Sequence, residues 1–390
     1  MDVGPLLLSV VVATALAFAF TNGFHDTANA MATSIVTRAL RPRLAVALAA
    51  VLNFLGAFLS LKVAATIAEG IVIGEAITLT VVFAGLVGGM TWNLVTWYLG
   101  LPSSSSYALI GGVVGATLVS AGASALHGTT AMTGVLVPAA LSPLLAMFVA
   151  AIGTWLLYRI IGNVPARIRS RGIRIGQIGS ASLVSLAHGS NNAQKTMGVI
   201  TLALIVHGTI GDKDSVPTWV IVSSAVALAL GTYAGGWRII RTVGKGLTDI
   251  RSPQGFAAET SSAAVILTAS NLGFPLSTTQ VCCGSILGAG MSRQLMGVRW
   301  GVAARILAVW VVTMPMSAVV GAATWKATQA IGGFPGVAVM FLVSLAFALG
   351  LYVAADRRPV NASNVNLRWA DRGAPLPRHL TAPELDEKQA

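Results

Sequence analysis

The chain of 390 residues carries a formal net charge of +12, yet only 10% of its residues are charged and 55% are hydrophobic. A soluble protein of this length needs far more charge to cover its surface, so a soluble globular domain is excluded. The lysines and arginines cluster in short segments between long apolar stretches, as in the cytoplasmic loops of membrane proteins. We therefore predict that the lipid bilayer, and not nucleic acid, is the partner of this basic chain.

Apolar stretches recur from end to end, and several exceed the roughly 20 residues that a helix needs to cross about 30 Å of hydrocarbon. In chain order, the predicted spans of the first half are about 4–38, 44–68, 76–99, 103–121 and 132–158. Those of the second half are about 175–206, 217–237, 256–272, 280–292, 300–325 and 335–355. The predicted fold class is an all-α integral membrane protein with about 10–12 transmembrane helices.

Two short motifs each occur twice, in the same order and at similar separation. Asn22–Ala30 resembles His188–Thr196, and Pro102–Ser106 resembles Pro275–Thr279. Paired motifs of this kind indicate an internal duplication. The predicted organisation is a first repeat, a basic cytoplasmic loop, a second repeat, an additional transmembrane helix and a polar disordered tail, at 1–158, 159–174, 175–333, 334–355 and 356–390.

The basic loops set the predicted orientation. The basic residues at 38–43, 159–174, 238–251, 293–299 and 357–358 are assigned to the cytoplasm, which leaves the charge-poor or acidic loops, such as Glu69–Glu75 and Gly208–Val216, outside. The N-terminus then lies outside and the C-terminal tail in the cytoplasm. The two motif-bearing segments run in opposite directions, which predicts inverted-topology repeats with broken or half helices near the bilayer midplane.

The first motif pair is predicted to interrupt its helices. Gly23 and Gly189 allow the chain to unwind inside the membrane, and a new helix start there offers free N–H groups to an anion. Asp26 is the one carboxylate in either motif, and a carboxylate at this depth indicates function, with helix capping as the alternative. The neighbouring His25 either titrates near neutral pH or is only hydrogen-bonded.

Lys195 is the one cation in the motif cores. It either neutralises a bound anion or forms an ion pair with Asp26. The hydroxyl residues Ser103–Ser106 and Ser277–Thr279 follow prolines at predicted half-helix starts, where they can bind an oxyanion or cap the helix.

At these motifs, and over roughly residues 5–355, the chain resembles the inorganic phosphate transporter (PiT) family. The resemblance implies a secondary active transporter, not an enzyme, that imports orthophosphate by cation symport without a cofactor. It also implies a homodimer in the bacterial plasma (inner) membrane. The Gly-Phe-His-Asp form around His25 is similar to the low-affinity, proton-coupled bacterial branch, thought to carry neutral metal–phosphate complexes. Sodium-coupled relatives more often have Asn at that position.

The resemblance also implies the site residues. Phosphate binding is assigned to residues of all four motifs, namely Asn29, Ser104, Ser105, Ser106, Lys195, Thr196, Ser277, Thr278 and Thr279. Cation coupling is assigned to residues of the first motif pair, namely His25, Asp26, Asn191, Asn192 and Gln194. The second motif of the family usually reads Asn-Asp, so Asn192 leaves the coupling stoichiometry open.

Other functions compete with this reading. A sodium-coupled phosphate symporter, or a carrier of sulfate or arsenate, would need the same hydroxyls, amides and helix termini. An intramembrane hydrolase would use His25, Asp26 and His188, but the chain lacks a His-x-x-x-His metal motif. A passive channel is disfavoured by the paired inverted motifs, and ATP coupling by the lack of a Walker motif.

Overall fold

The computed structural model describes residues 4–70, 77–126, 137–211, 215–292 and 297–366. These residues form helices, and the only β-pairing among them is an isolated bridge between Thr248 and Val298. The helices of the first half are α1 (Gly4–Val36), α2 (Pro42–Gly56), α3 (Lys62–Gly70), α4 (Leu79–Leu99), α5 (Ser105–Ala121) and α6 (Val137–Ile161). Those of the second half are α7 (Ala166–Val206), α8 (Thr218–Ala234), α9 (Trp237–Arg241), α10 (Ser252–Leu272), α11 (Thr278–Met291) and α12 (Trp300–Ile331), followed by α13 (Gly333–Asp356).

The predicted class, an all-α multi-span membrane protein, is confirmed. Among the described residues, five helices are long and apolar enough to cross a bilayer: α1, α4, α6, α12 and α13. The pair α8 and α9, bent by 58°, is a sixth candidate. This count is below the eleven predicted spans because α7 and α10, though long, are not apolar enough to be counted, and because other elements are short. The predicted span 44–68, for example, is interrupted between Gly56 and Lys62.

The half helices lie at the Pro-Ser/Thr motifs. Helices α5 and α11 have 17 and 14 residues, and each begins after a serine with extended backbone, Ser104 or Ser277. At about 1.5 Å per residue, neither can cross about 30 Å of hydrocarbon. Both starts therefore lie inside the bundle, as the motifs predicted.

The predicted breaks at Gly23 and Gly189 are wrong. Helices α1 and α7 run without interruption through both positions. The glycines serve close packing instead: a Cβ on Gly23 would overlap the carbonyl oxygen of Leu228, and one on Gly189 would overlap that of Asn53. The first motif pair thus presents side chains from intact helices and does not expose backbone.

Helices of each half pack against helices of the other half. Helix α1 packs on α8 and α7 packs on α2, so each motif helix contacts the second helix of the other half. Likewise α5 packs on α12 and α11 packs on α6, through glycines that approach carbonyl groups directly. The four glycines at these contacts are Gly111 and Gly115 on α5 and Gly284 and Gly288 on α11.

Helices α1 and α7 are antiparallel. Asp26 contacts Asn192, whereas the later residue Thr37 contacts the earlier residue Gln177. Position along α1 therefore rises as position along α7 falls. This is the relation that inverted repeats require of their first helices.

Two predicted irregular segments are partly ordered. The basic stretch 159–174 is mostly helical, because α6 ends at Ile161 and α7 begins at Ala166. The start of the tail packs on the bundle: Val365 is buried, and Lys245 Nζ donates to the carbonyl oxygen of Asn366 at 2.5 Å. The predicted disorder of 367–390, and parts of the predicted loops at Glu69–Glu75 and 208–216, lie outside the described residues.

The contact at Gly189 predicts a stability difference within α7. Gly189→Ala forces α7 away from α2 and should lower the free energy of unfolding by about 1–3 kcal/mol. Gly179→Ala, on the same helix with no heavy atom within 4 Å of an added Cβ, should instead be neutral or stabilising by up to about 1 kcal/mol. Denaturant unfolding in detergent, followed by tryptophan fluorescence, measures both. Equal stability of the two variants would contradict the packing role.

Candidate functional site

The Asp26 carboxylate is the centre of the polar cluster. It is buried, and each of its oxygens has two hydrogen-bond contacts. Oδ1 contacts His25 Nδ1 at 2.8 Å and accepts from Thr279 Oγ1 at 3.2 Å. Oδ2 accepts from Ser105 Oγ at 3.0 Å and from Asn192 Nδ2 at 2.9 Å. Four helices, α1, α5, α7 and α11, therefore meet at one carboxylate.

Two half-helix starts place donors around this charge. Ser104 and Ser277 cap α5 and α11, each side-chain oxygen accepting from the backbone N–H three residues later at 3.3 Å. The first turn of each helix brings Ser105 or Thr279 to Asp26. Free N–H groups give a helix N-terminus a partial positive charge, so both half helices stabilise an anion at this point.

Two buried imidazoles flank Asp26. His25 Nε2 lies 3.1 Å from the hydroxyls of both Thr96 and Ser103. His188 Nε2 lies 3.8 Å from Asp26 Oδ2 and 2.7 Å from Asn192 Nδ2. Because that amide donates to Nε2, the neutral tautomer of His188 carries its proton on Nδ1, 3.2 Å from Asn53 Oδ1.

Asn192 separates the buried cation from the buried carboxylate. Lys195 Nζ donates to Asn192 Oδ1 at 2.5 Å, while the amide nitrogen of Asn192 donates to Asp26. Across the described part of the chain, Lys195 has no carboxylate within ion-pairing distance. The direct Asp26–Lys195 ion pair, one of the two predicted alternatives, is therefore not formed.

Lys195 borders a small cavity. The cavity has a volume of about 40 Å³, and Ser106 and Pro275 line it together with apolar side chains from α3, α4, α5 and α7. Space for one or a few water molecules thus lies beside the ammonium group. The Lys195 side chain is therefore buried inside the protein, and it borders this internal space.

Further predicted residues reach the cluster. Asn29 Nδ2 donates to Thr279 Oγ1 at 3.0 Å and lies 3.4 Å from Thr278 Oγ1, while Ser106 donates to the carbonyl oxygen of Leu276. Asn29 Oδ1 and Thr196 Oγ1 are buried without a partner among the described residues. An unsatisfied buried polar atom costs about 1–3 kcal/mol, and such atoms in a polar cluster are available to a ligand.

Two predicted coupling residues lie away from Asp26. Gln194 Oε1 accepts from the backbone N–H groups of Val63 and Ala64, at 2.8 and 3.3 Å, and so holds the start of α3. Asn191 Nδ2 donates to Ser270 Oγ on α10 at 3.1 Å. The geometry brings neither side chain into contact with the carboxylate.

Glu259 on α10 is a second buried carboxylate, which the motif comparison missed. Thr33 and Ser34 donate to Oε1 at 2.5 and 2.7 Å, and Ser180 donates to Oε2 at 2.6 Å. Thr33 lies about two helical turns beyond Asp26 on α1. A lone glutamate inside the predicted apolar span 256–272 was the available signal, because ionisable residues in a membrane segment are functional by default.

The fold and the site together define a class of protein. Half helices that meet at a buried polar cluster between two repeats are the architecture of membrane transporters. The chain is accordingly a multi-pass membrane transporter and not an enzyme.

Comparison with known proteins gives the family. A family model described as the phosphate transporter family matches residues 22–175 and again 164–321, one match per half. The chain is 56% identical to a "probable low-affinity inorganic phosphate transporter" of Mycobacterium tuberculosis (strain ATCC 25618 / H37Rv), over 95% of this chain and 89% of that protein. A protein of the same description from Bacillus subtilis (strain 168) is 44% identical over 83% of this chain and 97% of its own length. The chain belongs to the phosphate transporter family.

A solved structure supports the fold. The protein described as "the sodium-dependent phosphate transporter" matches with a TM-score of 0.77 at 24% identity. The match covers 84% of this chain and 100% of that one. At this identity the likeness shows that the two chains share a fold.

The hydroxyl contacts of Glu259 predict a role in stability. Glu259→Ala leaves three hydroxyls without their acceptor and should lower the free energy of unfolding by about 1–3 kcal/mol. Glu259→Gln keeps one side-chain oxygen and should lose less. Asp249→Ala is the control, because it removes an exposed carboxylate close to Glu259 in the sequence. It should change stability by less than about 0.5 kcal/mol. Denaturant unfolding in detergent micelles ranks the three variants, and parent-like stability of Glu259→Ala would exclude a structural role.

Proposed function

We propose that the protein is a secondary active transporter that imports inorganic phosphate together with protons. The observation that carries the proposal is the buried Asp26 carboxylate, held at the N-termini of two half helices with an imidazole on either side. Membership of the phosphate transporter family supports the substrate, and the two histidines support the proton.

The substrate site takes its donors from both halves. Lys195 supplies positive charge, Ser105, Ser106 and Thr279 supply hydroxyl donors, and Asn29 supplies an amide. Such a set suits a tetrahedral oxyanion. Ser104 and Ser277 contribute by capping, because their side-chain oxygens already accept from the helix backbone.

Proton coupling follows from competition for the same donors. Ser105, Thr279 and Asn192 donate to Asp26 while it is charged. A proton taken up by the His25–Asp26 pair makes the pair neutral overall and weakens the attraction of the carboxylate for these donors. The hydroxyls and the two helix N-termini are then available to phosphate. Linkage requires the converse as well: bound phosphate favours the proton by the same free energy.

Two finer features belong to the same proposal, the membrane orientation and the homodimer, and two alternatives are set against it. The protein lies in a bacterial inner membrane with its N-terminus outside and its C-terminal tail in the cytoplasm, supported by the basic loops. It functions as a homodimer, supported by the family resemblance alone. A divalent metal travelling with phosphate is an open alternative for the transported species. Sodium is the alternative coupling ion, favoured by the sodium dependence of the protein that shares the fold.

Uptake into proteoliposomes tests the function. An inward proton gradient should drive accumulation of labelled phosphate, and a protonophore should abolish it. Asp26→Asn removes the carboxylate that binds the proton, so accumulation should fall about tenfold or more, equivalent to about 1.4 kcal/mol. Asp249→Asn, whose side chain is 82% exposed, is the control and should transport like the parent. Concentrative uptake by well-folded Asp26→Asn would refute the coupling role, and stronger inhibition by sulfate than by unlabelled phosphate would refute the substrate.

The coupling ion is tested at His25. His25→Asn removes the imidazole in direct contact with Asp26 and should flatten the dependence of uptake on the proton gradient. His207→Asn is the matched control, because His207 is at an exposed position where its imidazole contacts only the Thr209 hydroxyl among the hydrogen bonds described. Its uptake should depend on the proton gradient as that of the parent does. Uptake is measured at fixed internal pH with imposed proton or sodium gradients. Parent uptake driven by sodium alone would overturn the choice of proton.

A further inference from the structure

A second, larger cavity lies where the two halves meet, and none of the motif residues lines it. It has a volume of about 500 Å³ and is bordered by the end of α6, the first turns of α7 and the start of α10. Tyr158 and Ile161 come from α6, Arg169 and Ser170 from α7, and Arg251 precedes α10. The site therefore combines two guanidinium groups with hydroxyl and apolar side chains.

The electrostatics of this cavity favour an anion. Arg169 and Arg251 are exposed, and neither has a carboxylate within 4 Å in the described part of the chain. The nearby carboxylate of Asp249 is already paired with Arg299 at 2.9 Å. Helix α10 begins at Ser252, on the cavity wall, and adds the partial positive charge of its N-terminus.

The surroundings of the cavity are those of a membrane–water boundary. The guanidinium of Arg159 lies over the ring of Trp155, 4.6 Å from its centroid, and both residues are on the last turns of α6. Apolar side chains near the lining residues in the sequence, Ile160 on α6 and Ile168 and Ile175 on α7, are exposed. Tryptophan and arginine at a helix end next to exposed apolar residues mark the head-group level of a bilayer.

We propose that this cavity binds the phosphate head group of an anionic phospholipid of the cytoplasmic leaflet. A volume of about 500 Å³ is within the range of organic-ligand pockets and is far larger than orthophosphate requires. Basic pockets between transmembrane helices on the cytoplasmic side recognise anionic head groups in this way. The exposed isoleucines lie where the acyl chains of such a lipid begin.

The occupant would join the two halves. Helix α6 ends the first half, α7 carries Lys195, and α10 carries Glu259. A head group held by Arg169 and Arg251 thus lies against the helices that carry Lys195 and Glu259. Its binding is independent of whether phosphate or another anion is transported.

Native mass spectrometry of the purified full chain with added phosphatidylglycerol or phosphatidylcholine tests the proposal. The parent should retain phosphatidylglycerol in preference to phosphatidylcholine. The double variant Arg169→Gln/Arg251→Gln should bind phosphatidylglycerol roughly 25-fold more weakly, from about a factor of five per arginine. The matched control Arg167→Gln/Arg171→Gln removes the same charge from neighbouring positions and should bind like the parent. Arg169→Lys/Arg251→Lys should retain most of the affinity.

Three results would overturn the proposal. Equal loss in the control pair would show general attraction to a basic surface, without a pocket. Equal retention of phosphatidylcholine would exclude an anionic head group. Displacement of bound phosphatidylglycerol by an equal concentration of inorganic phosphate would identify a site for the free anion.

Discussion

A carboxylate buried in a membrane protein needs every lone pair occupied, and the arrangement around Asp26 follows from that constraint. In a medium of low dielectric, an unpaired charge is far more costly than in water. The Asp26 contacts come from four helices, two of which start inside the bundle. The first residues of the two half helices and the antiparallel motif helices bring their donors to this one carboxylate.

The sequence predicted the half helices well because proline and hydroxyl residues act locally. A proline followed by serine or threonine specifies a helix start wherever the chain lies, and both α5 and α11 begin as expected. Gly23 and Gly189 were misread because a glycine is equally suited to a break and to a close approach. Only the opposite helix, with the carbonyl groups of Leu228 and Asn53, decides between them.

The polar cluster was partly predictable for a related reason. Asp26, Lys195 and the hydroxyls were found because their motifs repeat, but Glu259 has no counterpart: aligned through Pro102 and Pro275, its equivalent is Leu86. Similarly, Thr33 beside Glu259 aligns with Val199 beside the small cavity. The two halves therefore differ in polarity at matching positions. Hydroxyl groups surround Glu259 at one of these positions, and apolar side chains line the small cavity at the other.

The packing of helices from one half against helices of the other also constrains the order in which the protein can assemble. Gly111 and Gly115 on α5 rest against Met314 and Ala318 on α12, which the ribosome delivers some two hundred residues later. Until then, α5 packs on α4 within its own half, and its other glycine face lacks the helix that covers it in the folded protein. The packing of the first half is therefore completed only when α12 has been made. A chain truncated before α12 leaves this glycine face uncovered and the carbonyl oxygen of Pro102 without the indole N–H of Trp310.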